Sequence, residues 1–227
     1  MLDDLLPLVV EGLLALISLG CLGLLAIQPF KNPPPISLRY VALVGLLPVA
    51  VTAGLMAASR YDMRYAAASL LTFYTSAVAE TTGALALAVA LYSEVHRNSN
   101  ISPQWYALPT GSSPLALISN YVPSSYIQLA IFTVLGAYLL SAARELPDKA
   151  DSLRLSAFAF LGAAASRVVL DRFDFLLDAV NSNLLGVVGV QLSSYLVYEF
   201  MMVVAVFFLF LHLLKTYQGT SIKLKGK

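Results

Sequence analysis

Arg167, Asp171, Asp174 and Asp178 follow one another at intervals of four, three and four residues. On a continuous helix they share one face, with Arg172 turned away from it. They stand in an otherwise apolar stretch, residues 155–177. If that helix starts near Arg154 at a membrane surface, Arg167 falls near mid-membrane and Asp178 near the outer boundary. An arginine in hydrocarbon costs at least ~2.5–3.5 kcal/mol and needs a carboxylate close by. Asp171, one turn away, is one candidate, and Glu80 or Glu199 across the bundle are the others. Glu80 lies about fifteen residues into the apolar run 65–92, or ~22 Å along a helix. It is flanked by the small and hydroxylated residues Thr75, Ser76, Thr81, Thr82 and Gly83. Glu199 is read as similarly deep in the last apolar run, with Gln191, Ser193, Ser194, Tyr195 and Tyr198 around it.

Three arrangements fit these charges. In the first, the acidic stripe, Arg167 and Glu80 or Glu199 line a hydrated path for protons or small cations, as acidic chains do in pumps and transporters. In the second, Arg167 and its carboxylates form an interhelical clamp, and Asp174 and Asp178 solvate the outer end. In the third, the fifth span is shorter and its charges sit in the interface. A separate polar break, Asn120-Tyr121-Val122-Pro123-Ser124-Ser125, frees a backbone carbonyl one turn before the proline. Asn120, Pro123 and Ser124 therefore form either a helix-break site for an ion or substrate or a kink satisfied by its own side chains. Glu11, about one turn into the first apolar run, reads as interfacial.

Other chemistries lack the residues they need. The single cysteine, Cys21, closes no internal disulfide and reads as a small buried hydrophobe. Only His96 and His212 are present, so paired-histidine haem sites and His/Cys zinc or copper sites lack ligands. Both histidines are read as interfacial. Three aspartates on one helix do not encircle a divalent ion unaided, so a metal-dependent lipid-modifying enzyme ranks third among the functions. There is no glycine-rich phosphate motif and no G-x-S-x-G. No cofactor, metal or catalytic residue is expected.

The elements that must hold these charges follow from composition. In 227 residues, 59% are hydrophobic and 12% charged, against roughly 45–50% and ~25% in soluble domains. Mean hydropathy is +0.78. Disorder, a collagenous repeat and a soluble enzyme are excluded, and a net charge of +1 is too small for nucleic-acid binding through the overall field. A spanning helix takes about 20 apolar residues, and six stretches qualify: 5–28, 40–58, 65–92, 114–142, 155–177 and 184–214. The triple proline Pro33-Pro34-Pro35 stiffens the first link, and Pro147 breaks the charged fourth one. No loop is long enough to fold alone, so residues 1–227 read as one transmembrane domain.

With six alternating spans, nine basic residues near the span ends fall on the side of both termini and three on the other. The retention of basic residues in the cytoplasm then predicts an all-α polytopic bundle in the cell membrane with both termini cytoplasmic. The sequon Asn100-Ile101-Ser102 falls in a loop this count puts outside. The leading expectation is a permease or channel-like protein for protons, cations or a small solute, centred on Glu80, Arg167, Asp171, Asp174 and Glu199. The alternative is a non-catalytic membrane subunit of a larger complex, respiratory or translocating, whose partner docks on Lys223, Lys225 and Lys227. The expected partners are the lipid bilayer and either protein subunits or further copies of the chain.

Overall fold

The computed structural model describes residues 2–27, 36–61, 124–145, 150–187 and 192–225. Among them the regular elements are six α-helices and no strand. They are α1 (Leu2–Ile27), α2 (Ile36–Tyr61), α3 (Ser124–Glu145), α4 (Ala150–Arg172), α5 (Asp174–Val187) and α6 (Ser194–Lys225). Three of them contain stretches long and apolar enough to cross a membrane: Leu5–Leu24, Ala150–Leu170 and Ser194–Lys215. Val49–Arg60 and Leu129–Arg144 are shorter apolar helices. The expected third span and residues 114–123 of the fourth lie outside the described residues.

The burial pattern of α1 suits its being long and apolar enough to cross a membrane. Val10, Glu11, Leu14, Ala15, Ser18 and Cys21 are buried, whereas Leu5, Val9, Leu13, Leu16 and Leu19 are exposed. Both stripes follow the helical period, but the polar side chains are on the inside and leucines on the outside. In water the arrangement would be reversed.

The helices pack pairwise in the order α2, α1, α6, α4, α3. Lipid is as apolar as leucine, so such packing rests on close approach and cross-helix hydrogen bonds more than on burial from water. Ala142, Ala143, Ala157, Ala163, Ala164 and Ala205 are all fully buried. A Cβ on Gly136 would come within 2.9 Å of Leu161 Cγ, and one on Gly162 within 2.6 Å of Met201 Cε. The Ser156 hydroxyl on α4 donates to the Ala205 carbonyl on α6 at 2.9 Å.

These contacts fix the direction of each helix. Ser156 meets Ala205, Gly162 meets Met201 and Arg167 lies over Tyr198, so α4 and α6 are antiparallel. With α3 ending at Glu145, α4 starting at Ala150 and Gly136 packed against Leu161, α3 is antiparallel to α4. Arg60 against Glu11, and Gly54 against Ala15, set α2 antiparallel to α1. The end of α2 also meets the start of α6, where Tyr195 contacts Met56, while further along Cys21 of α1 meets Val206 of α6. Thus α1 and α6 run parallel, whereas six alternating spans would make the first and last antiparallel.

The sixth stretch also begins later than its hydropathy suggests. Leu184–Val187 belong to α5, and the apolar window of α6 opens at Ser194. Ser193 caps that start, its hydroxyl accepting from the Leu196 amide at 3.1 Å. Asn181 on α5 holds the approach to it. Its side-chain amide accepts from Leu192 N at 2.7 Å and donates to Leu192 O at 2.9 Å.

Candidate functional site

Glu11, Arg60, Arg167, Tyr195, Tyr198 and Glu199 lie toward one end of the bundle, where α1 and α6 begin and α2 and α4 finish. Glu11 sits in the third turn of α1, fully buried. Arg60, the penultimate residue of α2, donates from Nε to both of its carboxylate oxygens, at 2.8 and 2.9 Å. The pair is asymmetric: the Arg60 side chain is 39% exposed and that of Glu11 is not exposed at all. The guanidinium reaches outward while the carboxylate stays in the apolar layer. One turn earlier on α2, Met56 Sδ accepts from the Tyr195 hydroxyl of α6 at 3.3 Å. Glu11 and Tyr195 therefore grip the same stretch of α2 from two helices.

Glu199 lies in the second turn of α6 and is buried, at 4% exposure. It comes next to Tyr198, whose ring is 6.3 Å from that of Tyr195 and 6.5 Å from that of Phe132 on α3. Arg167 places Cζ 5.3 Å from the centre of the Tyr198 ring, within the range of a cation–π attraction. Glu11 is ten residues before Cys21, and Glu199 seven before Val206, the residue that Cys21 meets. In the parallel pair the two carboxylates thus differ in depth by about three residues, or ~5 Å.

Several expectations change here. The helix carrying the acidic stripe is interrupted at Phe173, between Arg172 and Asp174, so Arg167, Asp171, Asp174 and Asp178 do not form one unbroken face. The apolar window ends at Leu170. Asp171 lies just beyond it, Asp174 opens α5, and Asp178 is exposed. Arg167 is seventeen residues into that window, ~26 Å from its start, and so stands near its far end instead of the middle. Glu199 is likewise shallower than a span opening at residue 184 would make it. Ser124 is the first residue of α3. Glu80, Asn120 and Pro123 lie outside the described residues.

The structure also brings in residues the sequence reading set aside. Glu11 is buried in the bundle and paired with Arg60, and His212 is buried in α6. Glu11 and Arg60 carry a signal of their own: a hairpin folded about the Pro33–Pro35 link pairs positions whose numbers sum to about 70, and 11 and 60 do. Among the described residues, no group of three His, Cys, Asp or Glu side chains is placed to hold a metal ion.

Among the described residues, fold and site together define an all-helical arrangement with three helices long and apolar enough to cross a membrane, and with carboxylates, guanidinium groups and phenols at one end. Comparison with protein-family models, with curated proteins and with solved structures returned no match.

Proposed function

We propose that the protein is a multi-pass permease that takes up a proton or a small cation at the end of the bundle where Glu11 and Glu199 lie. One observation carries this reading. Two carboxylates are buried in helices apolar enough to cross a membrane, at nearly the same depth, and an ionisable group kept there at a cost of several kcal/mol is retained for a task. The charge of Glu11 is compensated by Arg60, which makes it a fixed element. Glu199, beside the Arg167–Tyr198 pair, is the group proposed to exchange a proton or cation. Asp171, Asp174 and Asp178 follow the apolar window at the same end, where an acidic mouth raises the local concentration of cations.

The parallel run of α1 and α6 supports a topology with an odd number of crossings and the termini on opposite faces. On that reading Lys31 and Arg39, the Arg144–Arg154 turn and the four C-terminal lysines share one face, and Arg60, Arg64 and Arg172 the other. With Arg97 on either face, at least nine basic residues against at most four make the C-terminal face cytoplasmic. The N-terminus and the carboxylate cluster are then proposed to face outward.

The subunit alternative draws on a different feature. Helix α6 continues from Lys215 to Lys225, beyond its apolar window, through a segment with lysines and no acid. Such an extension suits docking on an acidic partner.

Flux into proteoliposomes, read with an internal pH dye under a cation gradient, separates the two. The permease reading expects flux in the native protein and its loss in Glu199→Gln at unchanged helicity. Well-folded protein that passes nothing under either gradient would sink it and leave the subunit reading.

A further inference from the structure

We infer that α5 is an interfacial anchor, a helix lying along the bilayer surface with one face in the lipid headgroup and acyl boundary. The inference rests on α4 and α6 crossing the membrane and not on transport. Antiparallel and packed side by side, these two helices put the end of α4 and the start of α6 on the same face. Whatever joins them must leave and return on that face. With fourteen residues, α5 is ~21 Å long, too short for the ~30 Å hydrocarbon core. The Asn181 clamp on the Leu192 backbone holds its second half against the approach to α6.

The first nine residues of α5, Asp174 to Ser182, are divided as such a position requires. Phe175, Leu176, Ala179 and Val180 fall within about 140° of helix circumference, and Asp178, Asn181 and Ser182 within about 100° on the opposite side. The apolar arc is open: Phe175 is 63% exposed, Val180 46% and Leu176 39%. It continues the outer surface of α4 through the exposed Val169 and Phe173, beside the exposed Arg172. The Phe173 and Phe175 rings meet edge to face at 5.9 Å across the helix break, which turns the aromatic surface of α4 into that of α5. Asp178 and Ser182 are exposed on the polar side. Continuity with the lipid-facing surface of a spanning helix commits this face to lipid. An amphipathic helix buries it ~5–10 Å into the boundary.

The test is site-directed spin labelling of the full chain in liposomes of zwitterionic lipid, at Phe175→Cys, Val180→Cys, Asp178→Cys and Ser182→Cys. Cys21 is left in place because its thiol is fully buried. The expected result is a several-fold preference for oxygen over an aqueous nickel chelate as relaxant at positions 175 and 180, reversed at 178 and 182. Equal access of the nickel chelate to all four positions would overturn the inference. So would shielding of 175 and 180 from both relaxants, which would mean that a second copy of the chain covers the face. Loss of flux would leave both readouts unaffected, so this inference and the permease reading fail separately.

Discussion

Arg60 Nε lies 2.8 and 2.9 Å from the two carboxylate oxygens of Glu11, a partner 49 positions earlier in the chain. A carboxylate with no exposure has no water to fall back on, so removing the arginine strands it. Arg60→Met is expected to lower stability by about 2–3 kcal/mol. That is at the low end for a broken buried pair, because the guanidinium is partly solvated. Glu11→Gln with Arg60→Met should recover most of the loss. Unfolding in mild detergent by added denaturing detergent, followed by circular dichroism, measures both. A double variant no better than Arg60→Met would show that the cost lies elsewhere.

The two close approaches of the α4 seams should respond differently to one added methyl. At Gly162 the obstacle is the mobile end of Met201, whereas at Gly136 it is the branched Cγ of Leu161. Alanine gains about 1 kcal/mol of helix propensity over glycine, and overpacking costs ~1–3 kcal/mol where the neighbour cannot move. Gly162→Ala is expected to be neutral or slightly stabilising, and Gly136→Ala to lose about 1 kcal/mol. The reverse order in the same unfolding assay would contradict these contacts.

Asn181 makes two hydrogen bonds to the backbone of one residue. Asn181→Asp keeps the acceptor for Leu192 N but sets a carboxylate oxygen against Leu192 O. Asn181→Ala loses both bonds, worth roughly 0.5–1.5 kcal/mol each. Amide exchange of the peptide around Leu192 should quicken in both variants, with the amides of Leu209 and Leu213 unchanged. Unaltered exchange at Leu192 would show that the clamp does not hold that segment.

Termini on opposite faces are open to direct test. A short epitope at the C-terminus should be digested only when the cytoplasmic side is exposed, and one at the N-terminus only from the other side. Protection of both epitopes on the same side would rule out either the parallel pairing of α1 with α6 or the crossing of one of them.

What could be read from the sequence follows the range of the forces involved. The α3–α4 hairpin is legible because Pro147 ends one apolar run just before the next begins. The seam at Gly162 is marked in the sequence by the small residues Gly162 to Ser166, although Ser166 turns its hydroxyl back to Ala163 O. The separation of α5 from α6 is hidden because Leu184–Val187 extend the apolar count across the join. The break at Phe173 leaves no mark either: its amide still bonds Val169 O at 2.9 Å, and no proline or glycine announces it. The direction of α6 beside α1 lies beyond any local spacing, since it depends on residues 185 positions apart.

That pairing also sets an order of assembly. Of the described helices, the one that is synthesised last lies in the middle of the row, between α1 and α4. Until Ser194–Leu213 has entered the bilayer, the α1–α2 and α3–α4 pairs lack the element that joins them among the described residues. The described helices assemble as two early hairpins and a late keystone. Cys21, against Val206 in the final seam, is a natural clock for this step. In chains truncated before Ser194 its thiol should react with a membrane-permeant maleimide, and it should fall silent once α6 is complete.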